Sequence, residues 1–155
     1  MKKILIGCDH AGFPAKQPLI DYLTSEGYEL IDCGTYTADS CDYPLNAHAT
    51  CKRLLNGEAE CAILICGTGI GISIAANKHK GIRAALCGDL YSAEMSRQHN
   101  AANVLCMGAR VIDIELMKQI ADKFLTTDSL STDRHVRRQQ QLSAIEDGTI
   151  DDLSF

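Results

Sequence analysis

Residues Cys61 to Gly71 read CAILICGTGIG, and the fold class follows from this stretch. An unbroken apolar run with no polar alternation suits a strand covered on both faces, as parallel strands are. The glycines at 67, 69 and 71 then mark a strand-to-helix turn whose backbone is approached closely, since alternating glycines are costly elsewhere. Outward from it, four more short apolar runs occur at Lys3 to Cys8, Tyr28 to Asp32, Arg83 to Cys87 and Val104 to Met107. The first, third and fourth of the five runs are almost continuously apolar, which predicts that these three lie in the middle of the sheet.

Helical patterns separate the runs. Ala15, Leu19, Ile20 and Leu23 form one face of a helix that stops near Gly27, and Ala47, Cys51, Leu54 and Leu55 form another that stops at Gly57. Glycine just past the last turn is a common helix terminator. A third helix is expected from Gly69–Gly71 to about His79, a fourth over Tyr91 to Asn100, a fifth from an N-cap at Asp113 to Phe124, and a last over Arg134 to Glu146. Strands alternating with helices predict an α/β fold, a parallel sheet with helices on both faces. No linker interrupts the 155 residues; a single domain over 1–146 and an acidic tail over 147–155 are expected.

The formal net charge is -5, from 15 Lys and Arg against 20 Asp and Glu, which leaves no broad basic surface for nucleic acid or an anionic membrane. The opening MKKILIGCDH is too short in its apolar part for a secretory leader, and no run approaches the roughly 18 apolar residues of a membrane span. A reducing cytoplasm is therefore expected, with the eight cysteines as free thiols. They fall at 8, 33, 41, 51, 61, 66, 87 and 106, without the CxxC pairs of a zinc knuckle. Most such thiols serve as small buried hydrophobes.

In an open α/β sheet, ligands bind outside the carboxyl ends of the strands. Here those ends read GCDHAG (7–12), CGTGIG (66–71), Gly88-Asp89 and MGAR (107–110), which predicts a thiol, a carboxylate, an imidazole and a guanidinium at one edge. Cys66 ends a buried strand at the mouth of a helix, where free amides and the helix N-terminus favour a thiolate; it could act as base or nucleophile, with the Thr68 hydroxyl beside it. The same loop admits a second reading as an anion cradle for a nucleotide, with Asp89 about where an acid would meet the ribose. Its GxGxG spacing and its place after the third strand fit that poorly. His99 at a helix end reads by itself as a terminal capping residue. Arg134, His135 and Arg138 gather on one helical quadrant, a compact anion clamp in an acidic chain.

Taken in order, GCDHAG, DYP (42–44), CGTGIG, HNxxN (99–103), GAR (108–110) and RHxxR (134–138) resemble the type B ribose-5-phosphate isomerases, in the family that also holds galactose-6-phosphate isomerase subunits. The resemblance covers about residues 1–146. It implies a three-layer Rossmann-like fold, no metal or nucleotide cofactor, and a homodimer or a dimer of dimers whose active site is shared between subunits. It further implies aldose–ketose isomerisation of a small sugar phosphate, ribose 5-phosphate and ribulose 5-phosphate first and a six-carbon phosphate as the alternative. By position it makes Cys66 the base and His99 the ring-opening residue. Thr68 and the amides of Gly67, Gly69, Ile70 and Gly71 would stabilise an enediolate, while Asp9, Tyr43 and Asn100 would bind the sugar. His10, Arg110, Arg134, His135 and Arg138 would surround the phosphate, the last three from the partner subunit. Ser131-Thr132-Asp133 stands where the family often has glycines. IDCGTY (31–36) and the acidic end are similar to the galactose-6-phosphate branch, which divides its site between two different chains; this chain carries both sets of motifs. A non-catalytic nucleotide-binding module is the reading from another class.

Overall fold

The structure, a computed structural model, describes residues 2–153. The chain runs β1 (Lys3–Cys8), α1 (Phe13–Ser25), β2 (Glu29–Asp32), α2 (Tyr43–Leu55), β3 (Cys61–Cys66), α3 (Ile70–Ala76), β4 (Ala84–Leu86), α4 (Leu90–Asn100), β5 (Val104–Gly108), α5 (Ile114–Thr126) and α6 (Asp133–Asp147), followed by a 3-10 turn at Ile150–Asp152. The five strands pair in parallel in the order β2-β1-β3-β5-β4. This is the expected α/β fold with helices on both faces.

Side-chain alternation along the central strands divides the core in two. Ile4, Ile6, Ile63, Ile65, Leu105 and Met107 point to the layer that holds Leu19 and Leu23 of α1, Ala93 of α4 and Met117, Ile120 and Phe124 of α5. Leu5, Ala62, Leu64, Cys66, Val104 and Cys106 point to the opposite layer, against Ala47, Cys51 and Leu54 of α2 and Ile72 and Ala76 of α3. Every residue of β3 is buried, which is why its sequence shows no polar alternation. Helix ends follow their sequence signals: Asp113 caps α5 by accepting from the Leu116 amide at 2.8 Å, and Gly27 and Gly57 take positive φ just beyond α1 and α2.

One expectation fails. β4 is an edge strand, and β5, fully buried, takes the inner position beside β3. The β3-α3-β4 crossover skips a place and α4 brings the chain back to fill it. The run RAALC misled because two alanines and a leucine look apolar in sequence. In place, Ala84 and Ala85 are half-buried and Leu86 is exposed, as an edge allows. The third helix is also shorter than expected, ending at Ala76. Beyond α6, Gly148 takes a left-handed φ and the Thr149 amide returns to the Ala144 carbonyl at 2.8 Å. No helix among the described residues is long and apolar enough to cross a membrane.

β3 is the spine of this arrangement. Ile63→Ala should lower unfolding free energy by about 2–5 kcal/mol without changing the fold, measured by chemical denaturation and circular dichroism.

Candidate active site

At the carboxyl edge of β1 and β3 a cavity of about 230 Å³ is lined by Asp9, His10, Tyr43, Cys66, Gly67, Thr68, Gly71 and Arg110. The predicted thiol, carboxylate, imidazole and guanidinium therefore do converge. Gly69, with φ +78°, bends the loop so that its amide donates to Cys66 Sγ at 3.1 Å; that amide is the donor a thiolate here would use. The Ile70 amide donates to Thr68 Oγ1 at 3.2 Å, which leaves the hydroxyl proton free for a ligand. Close packing fixes this loop. A Cβ on Gly108 would stand 2.5 Å from the Thr68 carbonyl, and one on Gly71 2.7 Å from the Tyr43 ring.

Asp9 is buried, and its Oδ1 accepts from the Ala11 and Gly12 amides at 2.9 and 3.0 Å. One oxygen thus shapes the turn into α1, and the residue also lines the cavity. Arg110 follows β5 and donates its amide to the Gly67 carbonyl at 2.9 Å, so its side chain and that of His10 share one wall of the cavity.

The remaining candidates sit elsewhere. α4 begins at its Asp89 cap beyond the carboxyl end of β4 and ends at Asn100, just before β5 starts. His99 and Asn100 consequently lie at the amino edge of the sheet, about 16 Å along the helix from its start. There the His99 ring stacks on His135 with centroids 4.3 Å apart and planes at 7°. Arg134 Nε donates to His135 Nε2 at 3.3 Å, and Gln139 Nε2 donates to the His99 carbonyl at 3.2 Å. On α6, His135 is buried, while Arg134 and Arg138 beside it remain exposed. Asn100 lines a second cavity, about 470 Å³, under α6. One chain does not bring His99, Asn100 and the α6 clamp to Cys66.

A model of the family described as Ribose/Galactose Isomerase matches residues 4–142. The chain belongs to the ribose/galactose isomerase family. Ribose-5-phosphate isomerase B of Escherichia coli K12 is 48% identical over 146 residues, 94% of this chain and 97% of that protein. Galactose-6-phosphate isomerase subunit LacB of Clostridium acetobutylicum is 43% identical over 122 residues, 79% of this chain and 70% of that one. The solved structure of Clostridium thermocellum ribose-5-phosphate isomerase B superposes with a TM-score of 0.91 at 44% identity, covering 94% of this chain and 98% of that one.

Within this isomerase-family chain, Asn103 of the HNxxN motif has a structural task. Its Oδ1 accepts from the Arg83 amide at 2.8 Å and its Nδ2 donates to the Gly81 carbonyl at 2.9 Å, pinning the loop before β4. Sequence reasoning missed Lys16. This buried lysine donates to Asp32 Oδ1 at 2.6 Å and to the Thr35 carbonyl at 2.5 Å, bracing the loop after β2. The signal was its place on the same stripe as Leu19 and Leu23, the buried face of α1.

The eight thiols are all free, and burial distinguishes them. It pushes Cys8, Cys51 and Cys87 up to about 11, and Cys106 well above the ordinary thiol value. Iodoacetamide near neutral pH should accordingly label Cys66, which opens on the cavity, and half-buried Cys41 before any of those four, as read by peptide mass spectrometry. At the other edge, burial first, then His99, Arg134 and Arg138, hold His135 below the ordinary imidazole value. The folded chain prefers it neutral, so its stabilising contribution is complete above that ordinary value and is lost as pH falls through it and below. Unfolding free energy should fall between about pH 7.5 and 5.5, with a shallower slope in His135→Gln; equal slopes would refute the assignment.

Proposed function

We propose that this chain is an aldose–ketose isomerase interconverting ribose 5-phosphate and ribulose 5-phosphate, with its active site completed by a second copy. The observation that carries the reading is the Cys66 thiol, held by the Gly69 amide in a cavity whose walls supply Asp9, Thr68, His10 and Arg110. Phosphate would rest on His10 and Arg110. The open sugar would lie between Asp9 and Tyr43, and C2 would face Cys66.

The chemistry is proton transfer. His99 would deliver a proton to the furanose ring oxygen as the anomeric hydroxyl loses its own, exposing the aldehyde. Cys66 sulfur would take the C2 proton, and the electron pair would move into a cis-enediolate whose negative oxygen meets the Thr68 hydroxyl and the loop amides that Cys66 and Thr68 do not already engage. The proton returned from sulfur to C1, with that of the C2 hydroxyl passing to O1, gives the ketose.

A monomer lacks the ring-opening half, because His99 and Asn100 stand at the opposite sheet edge. In the proposed homodimer, singly or paired again, the His99 edge and the α6 arginines of one copy meet the Cys66 edge of the other. Ile70, Ile74 and Leu86, 53%, 55% and 43% exposed, give the Cys66 side apolar surface to cover. Residues 1–146 would form the catalytic domain and 147–155 an acidic appendage, working in the cytoplasm.

The nucleotide reading is less well supported. The Gly69 and Ile70 amides are already taken by Cys66 and Thr68, and the Tyr43 ring covers Gly71, which leaves little cradle for a diphosphate. Calorimetry with NAD, ATP and ribose 5-phosphate separates the two classes, and a panel of pentose and hexose phosphates tests the galactose-6-phosphate alternative that the second relative's name suggests.

The decisive experiment is complementation. Cys66→Ala should lose roughly 10²-fold or more in turnover, and His99→Asn should fail mainly on the cyclic substrate. Mixing the two inactive variants and allowing exchange should restore about a quarter of wild-type activity, since half the two-fold dimers are mixed and each has one intact site. No recovery despite exchange would overturn the shared site.

A further inference from the structure

The orientation of His10 is set by a backbone group that a sequence motif does not reveal. His10 Nδ1 lies 3.2 Å from the amide nitrogen of Cys41 and 3.3 Å from the Cys41 carbonyl oxygen. Among the described residues the ring makes its hydrogen bonds through Nδ1 alone, while the side chain lines the Cys66 cavity beside Arg110. The amide hydrogen has a direction fixed by its peptide plane, and it points at Nδ1. A proton on Nδ1 would be set against this amide hydrogen and would have only the longer carbonyl contact to receive it; with its proton on Nε2 the neutral ring keeps the amide bond instead.

We propose that the Cys41 peptide is a positioning group that holds His10 as the Nε2–H tautomer, so that the ring meets an anionic ligand as a hydrogen-bond donor. The other neutral tautomer would turn an Nε2 lone pair toward a phosphate oxygen, exchanging attraction for repulsion. That the anion is a sugar phosphate rests on the isomerase reading; the tautomer does not.

The surrounding structure holds this peptide in place. Residues 33–42 connect β2 to α2, and both ends of the connection are tied. At the near end, Lys16 grips Asp32 and the Thr35 carbonyl, and the Thr35 amide donates to the Cys8 carbonyl at 2.8 Å, next to Asp9. At the far end, Asn46 Nδ2 reaches back to Cys41 Sγ at 3.5 Å and to the Asp42 carbonyl at 3.3 Å. Cys41 therefore acts through its backbone, and its thiol serves only to receive Asn46. A phosphate seated by a correctly protonated His10 would fix the rest of a small sugar phosphate against Cys66, where misplacement by an ångström is costly.

The test reads the tautomer directly. Long-range ¹H–¹⁵N spectra of the full-length protein, recorded at about pH 8 where an ordinary imidazole is neutral, should show His10 as Nε2–H; His10→Gln assigns the signal by removing it. Cys41→Pro deletes the amide hydrogen and keeps the carbonyl, so the ring should shift toward Nδ1–H. Its affinity for inorganic phosphate should drop about tenfold, as should its KM for ribose 5-phosphate worsen, with kcat changed much less. Cys41→Ala keeps the amide and should restore both readouts. An Nδ1–H tautomer in the wild type overturns the proposal without any variant. A folded Cys41→Pro protein with unchanged tautomer and phosphate affinity overturns it as well. Phosphate binding with the expected tautomer but no turnover of ribose 5-phosphate would instead overturn the isomerase reading alone.

Discussion

Covering both faces of a parallel sheet imposes the constraint on which the rest of this molecule depends. β3 is buried along its whole length, so polar chemistry has no place along the strand and is displaced to its ends. Cys66 is the residue at which β3 emerges. From there the chain must turn at once into α3, with Gly108 of β5 so close behind Thr68 that no side chain fits between them. The glycine loop is thus a packing requirement first. Its amides become useful because that packing aims one at sulfur and leaves the Thr68 hydroxyl proton free.

The same geometry separates the chemistry into two clusters. A helix that follows a strand begins at the carboxyl edge and must end at the amino edge to feed the next strand. α4 obeys this, so His99 comes to rest beside His135 on the far side of the molecule from Cys66. The arrangement is stable as it stands: the stacked imidazoles, the Gln139 contact and the Asn103 clamp hold that edge together. It is chemically incomplete for the proposed reaction, which needs both an opened ring and a base.

Much of the fold was legible because its signals are local. Continuous apolar runs marked the covered strands, glycines marked helix ends, and Asp113 marked the start of α5. What could not be read was spatial order. RAALC and VLCMG are similarly apolar, and only the crossover through α3 decides which of them is the edge. At the site, the carboxyl-edge residues were readable from strand ends, whereas His99 looked like a capping residue because its neighbourhood is built from α6, far along the chain. For Lys16 the helical stripe signalled burial but not a role, because its partners are Asp32 and the Thr35 carbonyl, contacts that no periodicity reports.

The separation of Cys66 from His99 also bears on how such a chain can diverge. On the proposed arrangement each polypeptide carries two half-sites that never serve one another, and selection sees them as independent modules joined by one core. After gene duplication, either copy can lose one half while a mixed pair keeps a working site. Division of labour between two unlike subunits would then be reached by simple decay of redundant parts, with no new contact to invent, because the proposed arrangement already pairs two copies.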